Sequence, residues 1–415
     1  MISVLLNAYA CSPYKGSEPG MGWNWIVNLS KYCRLYIITE GEWRNEIEKA
    51  VAQLPQKESI HFFYLPVSER VREICWNQGD WRFYYYYRLW QKRALDLARQ
   101  LMRDYPIDVV HQLNMIGFRE PGYLWQMKEK PFVWGPIGGM NLFPKNYLRK
   151  AGWKCSLQIR LKNSLNRYQM KNYPRVRKAM DRADILLAAT PESQRVIQNY
   201  YHKDCHLISE TGCYLNVPQK GKDRFASSKR LEVVWSGRFF YPKQLNIALE
   251  TLAHLNDLDI CLHIAGEGNE QETAYYKHLA DTLGIQNKCI WHGKIPHEDM
   301  LKLMQTSHLL LFTSVSEATS SVVLEALQSA LPVVCFNTCG FGAVVNEKVG
   351  RKIELSEPSE SAIRFADVLR SLHADRALLQ KLSANCAGEI SSLSWDHKAK
   401  CVVSLYQQAL KKKKS

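Results

Sequence analysis

Leu309-Leu310-Leu311-Phe312-Thr313, followed closely by Ser316-Glu317-Ala318-Thr319-Ser320-Ser321-Val322-Val323-Leu324-Glu325-Ala326-Leu327, decides the fold. The first run is short, continuous and apolar, the pattern of a strand buried on both faces. The second places Ser320 and Ser321 as N-cap candidates ahead of a helical stretch. A strand that turns at once into a helix is half of a βαβ unit. The same pattern recurs in both directions. Apolar runs bounded by turn residues fall near Ile2–Tyr9, Leu35–Thr39, His61–Leu65, Asp108–Leu113, Pro131–Trp134 and Asp184–Ala189, then near Leu231–Ser236, Ile260–Ala265, Cys289–His292 and Pro332–Phe336. Helical stretches separate most of them, which predicts an α/β fold with parallel sheets covered on both faces.

A polar stretch, Val217-Pro218-Gln219-Lys220-Gly221-Lys222-Asp223-Arg224, interrupts this series and reads as a linker. A chain of 415 residues suits two domains. The expected division is a Rossmann-like domain over 1–216 and a second beginning at 217. Two doubly wound domains facing a central cleft would hold ligands at the carboxyl ends of their strands.

Hydrophobic residues make up 46% of the chain, which excludes global disorder, and the formal net charge is +15. Such a surplus favours an anionic partner: phosphorylated substrate, lipid headgroups or nucleic acid. Twelve cysteines show no Cys-x-x-Cys pair, so neither a zinc site nor a disulfide framework is expected, and a reducing cytoplasm is. No segment approaches the ~18 apolar residues that span a bilayer. The opening Met1–Cys11 looks superficially like a lipoprotein signal, but its apolar run is short and it lacks a basic leader; a buried first strand is the better reading.

Glu317 should lie in the loop at the carboxyl end of the Leu309–Thr313 strand, with Glu325 about one turn into the helix. Unpaired amides at the start of that helix, around Ser320 and Ser321, suit a diphosphate. The same spacing also suits a plain capped helix with two surface glutamates. Trp235-Ser236-Gly237-Arg238-Phe239-Phe240-Tyr241-Pro242-Lys243 likewise follows a strand. Gly237 permits a tight turn, and an arginine fork with a lysine point charge fits a leaving diphosphate. A third loop, His263-Ile264-Ala265-Gly266-Glu267-Gly268, offers close backbone approach or simply a tight turn.

At this point the sequence resembles glycosyltransferase family 4, the retaining family with the GT-B fold. Glu317 and Glu325 match its Glu-x7-Glu motif, and Gly237-Arg238 with Lys243 matches its Gly-Arg-x4-Lys motif. Ala265–Gly268 and Trp291-His292-Gly293-Lys294-Ile295-Pro296 match two further stretches. The resemblance implies that Arg238 and Lys243 neutralise the donor diphosphate, that Glu317 contacts the transferring sugar and that Glu325 holds the ribose. It also implies that the loop carrying Lys294 and Ile295 holds the base, and that Gly266 and Glu267 border the donor. Where many members have glycine after the first glutamate, this chain has Ala318-Thr319-Ser320. Ser394-Trp395-Asp396 looks like the place where the family's last helix returns to the first domain, which sets the second domain at 217–394 and that helix at 395–415.

In the first half, Ser12–Trp23 follows the first strand, with a helix expected to begin near Gly20. Gly20 and Gly22 stand where the family has a glycine-rich loop. His111, in Asp108-Val109-Val110-His111-Gln112-Leu113-Asn114, matches a family histidine position and is a catalytic candidate; a histidine satisfied by backbone is the equal alternative. Gly135-Pro136-Ile137-Gly138-Gly139 closes the next strand. The aromatic–basic Trp81–Trp90 and the acid-free span from Lys130 to Met180 suit an anionic lipid surface, although such stripes are also ordinary core and solvated faces. No nucleic-acid motif accompanies the charge.

The expectation is therefore a retaining glycosyltransferase of hexosyltransferase type. It would move a sugar from a UDP- or GDP-sugar to a saccharide or lipid-linked saccharide, in lipopolysaccharide or other cell-surface polysaccharide synthesis. It would be a peripheral membrane protein at the cytoplasmic face. No cofactor or metal is expected: Asp257-Leu258-Asp259 precedes a strand, at the wrong end of the sheet, and the basic pair would replace a divalent ion. The alternatives are a nucleotide-sugar-binding protein without catalysis and a GT-B sugar-nucleotide isomerase.

Overall fold

The apolar runs of the first half become parallel strands: β1 (Ile2–Ala8), β2 (Cys33–Thr39), β3 (Ile60–Tyr64), β4 (Val109–Asn114), β5 (Phe132–Ile137), β6 (Ile185–Ala188) and β7 (His206–Leu207). In this computed structural model, residues 1–76, 81–148, 152–215, 223–225 and 230–414 are described. The linker core Val217–Lys222, the expected boundary at 216/217, and Arg149 and Lys150 of the basic span lie outside them. The second half supplies β8 (Leu231–Ser236), β9 (Ile260–Ala265), β10 (Cys289–Gly293), β11 (Leu309–Phe312), β12 (Val333–Phe336) and β13 (Gly350–Ile353).

The strand orders are β3-β2-β1-β4-β5-β6-β7 and β10-β9-β8-β11-β12-β13, parallel throughout. Both are doubly wound, Rossmann-like α/β sheets. The order reverses between β1 and β4 in one sheet and between β8 and β11 in the other, and these switch points are where ligands settle in such sheets.

The chain forms two compact units that a single cut does not separate. One comprises Met1–Met140, Leu165–Thr211 and Trp395–Ser415; the other comprises Asn141–Ser164 and Gly212–Ser394. The core of the first packs Val4, Leu6, Ile37, Val109 and Val133 with Trp25 and Trp395, whose rings meet edge to face at 5.6 Å. The core of the second packs Val233, Leu262, Leu310, Val334 and Phe336 against helices that include Leu249, Val323 and Phe365. Each such side chain contributes about 1.5–3 kcal/mol on burial. Arg224, read above as the end of a polar linker, is buried instead. Its guanidinium donates to the carbonyls of Met304 and Gln305 at 3.2 Å and to Ser383 Oγ at 2.7 Å, satisfying helix-end groups.

Candidate functional site

The loops after β8, β9 and β10 are tied together by their backbones. Gly237 N–H donates to Ala265 O at 3.1 Å, Phe239 N–H to Glu267 O at 2.9 Å, and Gly266 N–H to Gly293 O at 2.8 Å. Gly266 adopts φ +152°, and a Cβ there would lie 1.8 Å from Gly237 O. Its glycine is thus required by the approach of one loop to another.

The loop after β8 is also tied to the loop after β11. Thr313 Oγ1 donates to Lys243 O at 2.9 Å, while Ser314 Oγ at 3.2 Å and Val315 N–H at 3.0 Å both donate to Pro242 O. This stitching delivers Lys243 to Glu317: the ammonium donates to Glu317 Oε1, and both side chains are largely enclosed, 15% and 16% exposed. The ammonium also lies 5.4 Å from the Phe312 ring centroid. Arg238 is exposed, its guanidinium over the Phe240 ring at 5.4 Å. Lys243 and Glu317 therefore meet at the β8/β11 switch point, and Arg238 stands in the same loop after β8. Beside Arg238 is a cavity of about 430 Å³, whose lining includes Arg238, Phe239, Phe240, Glu267, Asn269 and Glu272. That volume lies in the range of small-molecule sites.

Ser320 occupies the cap position of the helix Ser321–Gln328, but its side chain makes no capping bond to the helix amides. Glu325 is half-buried one turn on; burial raises its carboxyl above the ordinary range, opposed by His297 and a hydrogen bond with Ser321. Glu267 and Lys294 pair with each other at 2.9 Å on an exposed surface, and Ile295 packs half-buried against the core. Two contacts escaped the sequence reading. Asn141 Nδ2 reaches Ser316 Oγ and Glu317 O, each at 3.4 Å, and Glu317 N–H donates to Cys339 Sγ at 3.4 Å. Cys339 follows β12, so the rule that ligands meet strand carboxyl ends pointed there; Asn141 is remote in sequence and left no local signal.

The first unit places its candidates differently. The helix begins at Ser17 rather than near Gly20. A Cβ on Gly20 would lie 2.2 Å from Lys15 O, and one on Gly22 would lie 2.4 Å from Ala10 O. Both glycines admit the chain's own backbone, and nothing in their geometry reserves that space for a ligand. His111 is fully buried. Its Nε2 lies 2.7 Å from Gly135 O and its Nδ1 2.6 Å from Tyr406 Oη. A carbonyl only accepts, so the proton sits on Nε2 and Nδ1 accepts from the tyrosine. Burial lowers its pKa to about 4. The ring thus has both nitrogens engaged, the satisfied-core alternative rather than a poised catalyst. The residue that stands out there is Glu18, which accepts from Ile116 N–H at 3.1 Å while its other carboxyl oxygen is sealed without a partner. Burial raises its pKa to about 7, with Glu210 adding to the rise.

The aromatic–basic helix, Trp81–Asp104, divides its aromatic residues. Phe83, Tyr87 and Trp90 are core, whereas Trp81 and Tyr85 are exposed. Arg88 of this helix and Arg175 of the acid-free span both bind Glu120, at 2.7 and 2.8 Å.

Residues 218–387 match the family model described as glycosyl transferases group 1. The D-inositol 3-phosphate glycosyltransferase of Xylanimonas cellulosilytica is 24% identical over 248 residues, covering 56% of this chain and 58% of that one. The chain thus spans rather more than half the length of that curated relative. The solved structure of Anabaena Alr3699/HepE in complex with UDP is 14% identical with a TM-score of 0.63, covering 98% of this chain and 100% of that one. The lipopolysaccharide outer core galactosyltransferase WaaB is also 14% identical, with a TM-score of 0.64 over 99% of this chain and 100% of that one. At these identities the likeness is one of fold, and it identifies the paired Rossmann-like domains as the GT-B architecture.

Proposed function

We propose that the chain is a retaining glycosyltransferase that takes a sugar from a UDP- or GDP-sugar and passes it to a saccharide or lipid-linked acceptor in cell-surface polysaccharide or lipopolysaccharide synthesis. The observation that carries this reading is the pairing of Lys243 with Glu317 at the β8/β11 switch point, with Arg238 in the same loop as Lys243. As the glycosidic bond to phosphate breaks, negative charge grows on the leaving diphosphate. Fixed cations at that spot stabilise the transition state more than the ground state. Arg238 and Lys243 supply them and take the place of a divalent ion. Glu317, oriented through Lys243, faces the sugar as positive charge develops at its anomeric carbon, and Glu325 binds the nucleotide ribose. The match of residues 218–387 to glycosyl transferases group 1 supports this assignment, as does the UDP bound by the HepE relative in fold.

The test is incubation with a panel of sugar nucleotides, with and without EDTA. Slow, EDTA-insensitive release of free sugar and nucleotide is expected from a transferase lacking its acceptor. Release should fall by about 100-fold or more in Glu317→Ala, as for other lost electrostatic groups. Near-normal turnover in that variant would refute the assignment. Binding without turnover would favour a nucleotide-sugar-binding protein, and a rearranged sugar nucleotide an isomerase.

We also propose that the acceptor lies at an anionic membrane face, in the cytoplasm. What supports this is the helix Trp153–Asn172, on which Trp153, Leu157, Leu161, Leu165 and Tyr168 are all exposed. Steps of four and three residues keep them on one face. Lys154, Arg160, Lys162, Arg167 and Lys171 stand on the same helix, which has no acidic residue. An exposed apolar stripe with basic flanks suits the headgroup boundary of anionic lipid.

A further inference from the structure

Linear spacing offers no metal site, but parallel strands bring distant residues together. In a strand, residues two apart point to the same face. Cys261 and His263 therefore share one face of β9. The register of β8 against β9 sets Glu232 directly opposite Cys261, and neighbouring strands lie about 4.8 Å apart. The outcome is a cluster in which Glu232, Cys261 and His263 each offer one ligand atom, all within 4.8 Å of one another.

His263 is already oriented for such a role. Its Nε2 lies 2.9 Å from Glu232 Oε2, and its Nδ1 lies 3.0 Å from His292 Nε2 on β10. A carboxylate only accepts, so Nε2–H donates to Glu232; on metal binding that proton leaves for solvent, the Nε2 lone pair faces the ion, and Nδ1–H then donates to His292. A metal-bound imidazole is typically held by such an outer hydrogen bond on its second nitrogen. Thiolate, imidazole and carboxylate together form a donor set of borderline softness, which suits zinc and excludes magnesium or calcium. All three ligands stand on rigid strands. Arg230 lies 3.8 Å from Glu232 Oε1, the other carboxylate oxygen, and also 3.8 Å from Asp259, so it has a second carboxylate to turn to.

We propose that Glu232, Cys261 and His263 form a zinc site, with His292 supporting the His263 ring and solvent in the fourth position. On binding, the Cys261 thiol gives its proton to solvent and its sulfur joins the metal. Glu232 and Cys261 are each the second residue of their strands, whereas Arg238 and Gly266 follow the opposite, carboxyl ends. The ion is therefore a clamp joining two strands and takes no part in sugar transfer.

The test adds Co²⁺, then Zn²⁺, to the metal-stripped full chain. One Co²⁺ per chain with a near-ultraviolet sulfur-to-cobalt absorption band is expected, displaced by Zn²⁺. A Zn²⁺-dependent rise in Tm should accompany it, since binding to the folded form alone adds stability. Cys261→Ser should abolish the band, and His263→Ala should weaken binding at least tenfold, with circular dichroism reporting that each variant folds. Absence of the band in the wild-type chain, or its persistence in Cys261→Ser, would overturn the proposal. Failure of sugar-nucleotide turnover would leave it untouched, because its readout is metal binding alone.

Discussion

Glu18 combines burial with ionisation. Its carboxyl is pushed from an ordinary 4.5 to about 7 by burial. Below pH 4.5 both folded and unfolded forms hold the proton, so the neutral carboxyl's contribution to stability is then fully present. As pH rises towards 7, the unfolded chain ionises first and that contribution is lost. Tm should therefore fall between about pH 5 and pH 8, and Glu18→Gln should flatten the fall and melt higher than wild type at pH 8. Parallel pH profiles for the two proteins would sink this reading. Nothing in the sequence around Ser17-Glu18-Pro19 signals it, because the rise comes from burial and, less, from Glu210, far along the chain, against the opposing hydrogen bond from Ile116 N–H. His111 shows the same limit from the other side. Its placement in a strand was legible, but Tyr406, which accounts for its second nitrogen, is 295 residues away.

Elements were far more legible than environments. β8 and β9 have the bounds expected from their apolar runs, because in each the single Glu232 or His263 interrupts an otherwise apolar, largely buried strand without breaking the pattern. Two edge strands went unread. β7 has only two residues, both exposed, and β13 carries Arg351 and Lys352 at its centre and pairs with β12 alone. Edge strands are often short or charged, which hides them from a hydrophobic pattern. The motifs at Gly237–Lys243 and Glu317–Glu325 were readable because each follows a strand; the backbone ties between their loops were not. Those ties predict the effect of Gly266→Ala. A Cβ 1.8 Å from Gly237 O must displace the loop bearing Arg238. Expected are a loss of about 1–3 kcal/mol, as for a strained backbone site, and a raised KM for the sugar nucleotide. Wild-type Tm together with wild-type KM would count against this account of the loop.

For the molecule as a whole, part of the net charge of +15 stands on the helix Trp153–Asn172, which carries five basic residues and no acidic one. Each lysine or arginine near an anionic surface contributes about 1 kcal/mol, and the exposed leucines add insertion. The protein should float with vesicles containing phosphatidylglycerol at low salt, and less with purely zwitterionic ones. Leu157→Glu with Leu161→Glu should cut that binding at least tenfold while leaving donor hydrolysis unchanged. Equal flotation with both lipids, or with both proteins, would refute the membrane assignment.

The helix Trp395–Lys414 has a consequence for how the protein is made. It belongs with the unit that begins at Met1, where Trp395 meets Trp25 and Tyr406 meets His111. At a ribosomal speed of 5–20 residues per second, the interval between Thr211 and Trp395 is roughly ten to forty seconds. Through that interval the first-made sheet stands without its closing helix, its tryptophan and histidine open to other chains. The second unit, Asn141–Ser164 with Gly212–Ser394, is fully synthesised before that helix appears. Of the two sheets, the one synthesised earlier is thus the later to finish folding, and a stop codon near position 395 would damage the sheet of β1–β7.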